Sequence, residues 1–373
     1  MFFLAAAIMA SGVDRRFALL LLARAGRDPR RILLALMTGC AAISTVMSDV
    51  PACAIFMAVA LGVFGRTGIR PGSSFGKAVM MGIPFASLIG GVATPAGSSI
   101  NVLGIYLIQE HGGVRVSFLE WMAIGVPMAL LVLPVAWWAL LRFCPPEMAA
   151  VGDPGDVERE RAALGPLRLA EAKVIGLFAV LIVLWVASTW VKALDVSLVA
   201  LAGSLALFLP GLRVLTWVET QKSVGWDALL VIGGVTSLGA ASVKTGLAAW
   251  LVHATLGGLT GWGTLGIVAA VSAFTVAVHL VLPIGPVINA VLIPPIVLLA
   301  AGSQHHPALY ALPVAFTASC AFLLPLDAVP LVTYGQGYYR MFDMLKPGLV
   351  VSAAWVVLIT LLTAGLGPAL GLR

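Results

Sequence analysis

The sequence predicts an all-α polytopic membrane protein built as an inverted repeat of broken helices and re-entrant hairpins. Three observations carry this prediction. Of 373 residues, 61% are hydrophobic and 10% charged, and mean hydropathy is +1.06. Apolar runs fill the chain, and several are interrupted near the middle by Gly and Pro. Lys and Arg flank some of these runs and are missing around others.

The composition comes first. Soluble domains are about half apolar and a quarter charged, so a soluble enzyme, a disordered chain and a nucleic-acid binder are all poor readings. The net charge of +6 forms no long basic cluster, so no nucleic-acid partner is expected. Cys40, Cys53, Cys144 and Cys320 form no CxxC pair, which argues against a disulfide framework or a zinc site. Spanning structures in lipid must satisfy their backbone internally, which leaves helices for a chain of this kind. Phe2–Met9 lacks a basic leader and a cleavage site and is not read as a cleaved signal.

The elements follow in order. Phe2–Met9 and Phe17–Ala23 are too short to cross a bilayer alone. Ile32–Phe64 is interrupted at Ser48-Asp49-Val50-Pro51, and Phe75–Leu107 around Gly90–Ser99. Phe118–Leu141, Val174–Trp190, Val196–Leu209 and Leu349–Leu362 read as plain spans. Leu229–Leu251 is apolar with Gly233, Gly234 and Lys244 inside it. Leu265–Ala301 breaks near Pro283-Ile284-Gly285-Pro286, and Ala308–Tyr334 at Pro325-Leu326-Asp327. One crossing takes roughly 17–25 residues, so Ile32–Phe64 and Leu265–Ala301 are too long for one pass and too short for two. Each is read as a re-entrant hairpin.

Charge placement orients them. Arg24, Arg27, Arg30 and Arg31 precede the first hairpin, and Arg66, Arg70 and Lys77 follow it, so both its ends are cytoplasmic. Thr255–Tyr339 holds no Lys or Arg in 85 positions, so the second hairpin opens on the outer side. The division is therefore residues 1–143 as a first repeat, with hairpin 32–64, broken helix 75–107 and one span. Residues 144–173 form a cytoplasmic linker. Residues 174–373 form a second repeat, with outer hairpin 265–301, broken helix 308–340 and a final span. Inverted repeats with broken helices at mid-membrane are the architecture of secondary transporters. A multi-pass protein of the cell inner (plasma) membrane is expected.

The chemistry lies where polar groups interrupt the apolar runs. A charge at mid-membrane costs about 2.5–3.5 kcal/mol on insertion scales and marks a functional candidate. Asp49 sits at the first tip, near Ser44, Thr45 and Ser48, and Asp327 sits in the last break. Unwound backbone at Gly90–Asn101 exposes carbonyls that suit a hard cation such as Na⁺, and half-helix N-termini suit an anion. Local readings stand beside these. Asp49 is also a candidate N-cap, Ser87 and Thr275 candidates for bonding back to the preceding turn, and Lys244 a snorkelling side chain. His279 reads as a helix–helix hydrogen bond or a proton carrier.

Ala318–Pro325, followed by Tyr334-Gly335-Gln336-Gly337-Tyr338 and Asp343–Gly348, is similar to the last broken helix and following span of the divalent anion–sodium symporter family. Ile89–Asn101 resembles that family's first unwound segment, and Ser48-Asp49-Val50 falls at its first Ser-Asn-Thr hairpin signature. The family carries dicarboxylates, citrate or sulfate. The resemblance implies two sodium sites, each between a hairpin tip and an unwound helix. Ser44, Ser48, Asp49 and Gly97 would serve the first, Gly285 and Asp327 the second. It places a small anionic substrate between the tips, near Ser48, Asp49, Val50, Thr94, Ser98, Asn101, Pro286, Val287 and Asn289. It also implies a homodimer. The chain departs from the pattern where Asp49 and Val50 replace Asn and Thr. Gly285-Pro286-Val287 stands at the second signature, with Asn289 two residues on, and Asp327 is present where an Asn is usual.

The reading that follows is a Na⁺-coupled secondary transporter of a small, divalent anion working by alternating access. The alternative is a proton-coupled anion transporter or ion antiporter using Asp49 and Asp327. Less favoured are a membrane-embedded enzyme and a non-transporting membrane scaffold; the enzyme needs a catalytic constellation. No HExxH metal motif and no intramembrane His/Asp spacing of that kind is found.

Overall fold

The computed structural model describes residues 2–152, 155–191, 194–223, 262–302 and 306–367, with isolated positions between 226 and 258. Its described residues form helices and their connections, with no strand among them. About half of the Leu229–Leu251 segment lies outside the described residues.

The first two helices, α1 (Phe2–Ser11) and α2 (Val13–Ala25), are separated by Gly12 at φ 83°, a left-handed turn that only glycine adopts without strain. Helix α3 (Pro29–Ser44) starts where Asp28 accepts the Arg30 N–H and Pro29 occupies the first turn. Four residues separate it from α4 (Asp49–Thr67), so Ile32–Phe64 forms two helical arms joined at Ser48. Helix α5 (Ser74–Gly91) is capped by Ser73 and stops at Gly91. A 3-10 turn (Pro95–Gly97) follows, and α6 (Ser99–Gly112) completes the broken helix. Helix α7 (Phe118–Phe143) begins with a capping box between Ser117 and Glu120. The 144–173 segment contains a short α8 (Asp156–Ala163), and α9 (Leu169–Ala187) follows.

Helix α10 (Val196–Ala206) has 11 residues, about 17 Å at 1.5 Å per residue, so Val196–Leu209 is too short to span. The chain turns back beyond it, with the Val214 N–H bonding the Leu207 carbonyl. Helix α11 is Trp217–Ser223. The second half contains α12 (Thr264–Val278), α13 (Gly285–Gly302), α14 (Pro307–Thr317), a short α15 (Ala328–Tyr334) and α16 (Leu345–Leu366). Among the described residues, four helices are long and apolar enough to cross a membrane: Asp49–Thr67, Phe118–Phe143, Leu169–Ala187 and Met341–Leu366.

In lipid, apolar surfaces gain little by meeting each other, so close backbone approach at small residues holds helices together. That is how α3 packs on α5. A Cβ added at Gly90 would collide with the backbone of Ala41. Across the molecule the halves exchange elements. Arm α4 packs on α5 and on α15, and Cys53 Sγ lies 3.5 Å from the Val329 carbonyl. Arm α13 packs on α14 and on α6, and Asn289 Nδ2 donates to the Ile100 carbonyl at 3.0 Å. Helices α7 and α16 pack along each other beside both broken helices.

The 144–173 segment is stapled to one end of this assembly. Arg16 pairs with Glu171 at 2.9 Å and donates to the Gly165 and Pro166 carbonyls. Arg27 Nε donates to the Gly152 carbonyl at 2.9 Å, and Arg66 pairs with Glu160. Glu147 accepts from Ser73 Oγ and from the Phe75 N–H at 2.8 Å. Partial burial opposes ionisation of Glu147, but those hydrogen bonds outweigh it and hold its carboxyl below the ordinary value of 4.5. A carboxylate with a depressed folded value contributes stability above its unfolded value and loses it as pH falls through the folded one. Thermal melts in detergent at pH values below about 4.5 are expected to fall more for wild type than for Glu147→Gln. Parallel curves would remove Glu147 from the acid response.

Candidate functional site

The first hairpin tip sits inside the break of the first broken helix. Asp49 is the first residue of α4 and 3% exposed. It is not the N-cap: that position belongs to Ser48, whose side chain makes no capping bond. The Asp49 carboxylate instead reaches back to Ser44, whose Oγ is 2.8 Å from Asp49 Oδ1 and 2.8 Å from the Ser87 carbonyl. A hydroxyl has one proton, so it serves one of these acceptors at a time. Ser87 Oγ donates to the Asp49 carbonyl at 2.7 Å, and Ser98 also hydrogen-bonds the carboxylate. Ser87 thus bridges two elements and does not bond to its own preceding turn. Thr275 does bond locally, to the Val271 carbonyl at 2.8 Å.

Glycine makes this fit possible. A Cβ on Gly91 would fall on the Asp49 carboxylate, and one on Gly97 would strike the Gly91 carbonyl and approach the Ser44 carbonyl at 2.7 Å. The unwound strand is held by side chains. Thr94 accepts from the N–H groups of Ala96 and Gly97 and donates to the Thr45 carbonyl at 2.5 Å. Asn101 Nδ2 donates to the carbonyls of Gly91 (2.7 Å) and Thr94 (2.9 Å). Trp121 on α7 donates to the Val92 carbonyl at 2.8 Å, and Gly125 lets that backbone lie against the helix.

The second tip repeats the theme with different residues. The break expected at Pro325–Asp327 is wider, running from Ala318 to Asp327. His279, at the end of α12, bonds the Ala318 carbonyl at 2.9 Å. Gly285 opens α13, and a Cβ there would come 2.6 Å from that same carbonyl. Asp327 caps α15, accepting the Val329 N–H at 2.9 Å, and also interacts with the Gly285 N–H and His279. On the scaffold side, Trp355 Nε1 is 3.3 Å from Thr317 Oγ1, and Gly348 faces the Phe322 carbonyl so closely that a Cβ would collide. Trp121 stacks on Phe316 with ring centres 4.2 Å apart. Such a pair adds about 0.5–1.5 kcal/mol beyond its buried area.

The two tips are neighbours. The charge of Asp327 acts on Asp49, Gly285 lies against Ile100, and Asn289 bonds Ile100. Helices α4, α6, α13 and α15 therefore bring their N-terminal ends to one region, where N–H groups and positive dipole ends gather. Ser44, Asp49, Gly97 and Ser98 form one group, and Gly285 and Asp327 the other. Asn101 and Asn289 are fully buried on the seam, and the Oδ1 of each accepts no hydrogen bond. Thr94 is buried at the first break, and Ser48, Pro286 and Val287 are half-buried at the tips. Val50 is 38% exposed and adds no donor. Ser87, Trp121, Gly125, Gly348 and Trp355 had not been assigned to the site. The available signal was a mid-span Trp, whose N–H needs a partner when buried.

This is the architecture of a multi-pass helical membrane protein whose polar groups meet at paired helix breaks. A family model of the sodium:sulfate symporter transmembrane region matches residues 1–372, and the chain belongs to that family. It is 28% identical over 333 residues to a membrane protein of Cupriavidus necator, covering 87% of this chain and 65% of that one. It is 25% identical over 396 residues to the sodium-dependent dicarboxylate transporter SdcS of Staphylococcus saprophyticus, covering 98% of this chain and 75% of that one. The SdcS of Staphylococcus aureus strain USA300 matches at 25% over 401 residues, 96% of this chain and 74% of the relative. The chain thus spans 65% to 75% of the length of these relatives.

Proposed function

We propose that the protein is a secondary transporter in the cell inner membrane that couples uptake of a small divalent anion, of the dicarboxylate or sulfate class, to Na⁺. The observation that carries this reading is the seating of Ser44 and Asp49 against the unwound Gly91–Ser98 segment. When Ser44 donates to the Ser87 carbonyl, its lone pairs and Asp49 Oδ1 face the same point. With nearby carbonyls they form the all-oxygen set a hard cation prefers. The unpaired Oδ1 atoms of Asn101 and Asn289 offer further oxygen between the tips. The gathered helix N-termini supply the positive field for an anion beside the cation. The names of the staphylococcal relatives support sodium and a dicarboxylate.

In this reading residues 1–143 and 174–373 are inverted repeats, and the two hairpin units rock against α7 and α16 for alternating access. The family resemblance supports a homodimer. Na⁺ and the anion are both cargo. Uptake of labelled succinate, citrate and sulfate into proteoliposomes, with and without an inward Na⁺ gradient, tests the reading. Stimulation of at least one anion is expected, and none for any of them overturns Na⁺ symport. A second reading rests on two carboxylates and His279 sharing the site. There the coupling ion is H⁺, and an inward pH gradient drives flux in the absence of Na⁺.

A further inference from the structure

We propose that the protein couples a single Na⁺ to each cycle, at the first tip, and that its own N–H groups close the second tip in place of a second ion. This count rests on the Na⁺ reading proposed above. The family resemblance implies a second sodium site at Gly285 and Asp327, and the donor set there does not fit one.

The two tips differ in the kind of proton that holds them. At the first, Asp49 is met by the hydroxyls of Ser44 and Ser98. A hydroxyl that turns its proton to another acceptor presents lone pairs in its place. The Ser87 carbonyl, 2.8 Å from Ser44 Oγ, gives Ser44 that choice. At the second tip the oxygens are met by nitrogen. The Asp327 carboxylate accepts the Val329 N–H at 2.9 Å and interacts with that of Gly285. The Ala318 carbonyl, at the start of the break, lies 2.9 Å from His279 Nε2. A carbonyl only accepts, so Nε2 carries the proton. An N–H has no lone pair to offer a cation.

The rest of the second tip supplies little oxygen. Gly285, Pro286 and Val287 have no side-chain oxygen, whereas Ser44, Ser48 and Asp49 stand at the first tip. Gly285 packs so closely that a Cβ would come 2.6 Å from the Ala318 carbonyl. That oxygen is therefore covered by the tip on one side and by His279 on another. Ser319 Oγ in the break and Asn289 Oδ1 on the seam are buried without partners. Two neutral oxygens do not complete a hard-cation set when the carboxylate is already met by N–H groups. His279 is thus a positioning residue that holds the break against α12.

Binding of radiolabelled Na⁺ to the purified full chain in detergent, read as ions per chain at saturation, tests the count. One ion per chain is expected, lost in Asp49→Ala and kept in Asp327→Asn, whose amide oxygen still accepts the Val329 N–H. Two ions per chain, or one ion kept in Asp49→Ala and lost in Asp327→Asn, overturns the inference while Na⁺-stimulated uptake stands. No bound ion and no Na⁺-stimulated uptake overturns the transport reading as well. The wild-type count decides even where a variant elutes as aggregate. For His279, uptake at graded Na⁺ is the readout. His279→Leu strips the donor from the Ala318 carbonyl and is expected to slow uptake roughly tenfold at an unchanged Na⁺ requirement. His279→Gln, which keeps an N–H at similar reach, is expected to restore most of it. A raised Na⁺ requirement in His279→Leu, or no recovery in His279→Gln, overturns the role given to His279.

Discussion

Asp49→Ala is expected to lower Na⁺-stimulated uptake by roughly 10–100-fold. The substitution removes the carboxylate of the first tip, takes that acceptor from Ser98 and leaves Ser44 with the Ser87 carbonyl alone. Leaving buried groups unpaired costs about 1–3 kcal/mol, and each 1.4 kcal/mol is tenfold in affinity. Most of the loss should appear as a raised Na⁺ requirement, because the anion-facing helix ends are left in place. Asp49→Asn keeps a hydrogen-bond acceptor for Ser44 and removes only the charge. Under Na⁺ coupling it keeps part of the Na⁺-stimulated flux. Under proton coupling it loses pH-driven flux entirely. Proteoliposome uptake at graded Na⁺ and at two pH gradients separates these outcomes. An Asp49→Ala protein with an unchanged Na⁺ dependence would remove Asp49 from the site.

Gly91→Ala is the second large effect. One added methyl group falls on the Asp49 carboxylate and pushes the tip out of the break. Overpacking of this kind costs about 1–3 kcal/mol. Uptake is expected to drop at least tenfold, and the detergent melting temperature to fall, while the protein remains monodisperse. Residues in contact do not act additively. In an Asp49→Ala background the same methyl meets no carboxylate, so Gly91→Ala should cost less stability there than in wild type. Equal costs in both backgrounds would show that the collision is relieved some other way.

Much of this arrangement was legible from residues alone. Asp49 and Asp327 stand out because a carboxylate in an apolar run is expensive. The first break is written in Gly90, Gly91, Pro95 and Gly97, residues whose local chemistry disfavours helix. The second break is less legible. Ala318–Leu324 is apolar and would be at home in a helix, with Pro325 the only local sign of interruption. It is held unwound by distant groups: His279 on the Ala318 carbonyl, Trp355 on Thr317 and Gly348 under Phe322. Ser87 was ambiguous for the same reason. Its hydroxyl has a local carbonyl within reach in any helix, and only the tertiary fold offers it the Asp49 backbone. Asp49 was the capping candidate in the sequence, yet its carboxylate is turned to Ser44 and Ser98, and it is Asp327 that caps a helix.

The exchange of elements between halves bears on how the protein is made. Cys53 of α4 and the Val329 carbonyl of α15 meet across 276 positions of chain. At about 5–20 residues per second, the ribosome needs roughly 14–55 s to deliver the partner that covers this face of the first hairpin. Throughout that interval Asp49 and its tip are already in the bilayer with one flank open. The nascent first half is thus an unfinished substrate for the insertion and quality-control machinery. A stop codon before α15 leaves a fragment whose first hairpin lacks the partner that covers α4 at Cys53, a form that cells are equipped to degrade.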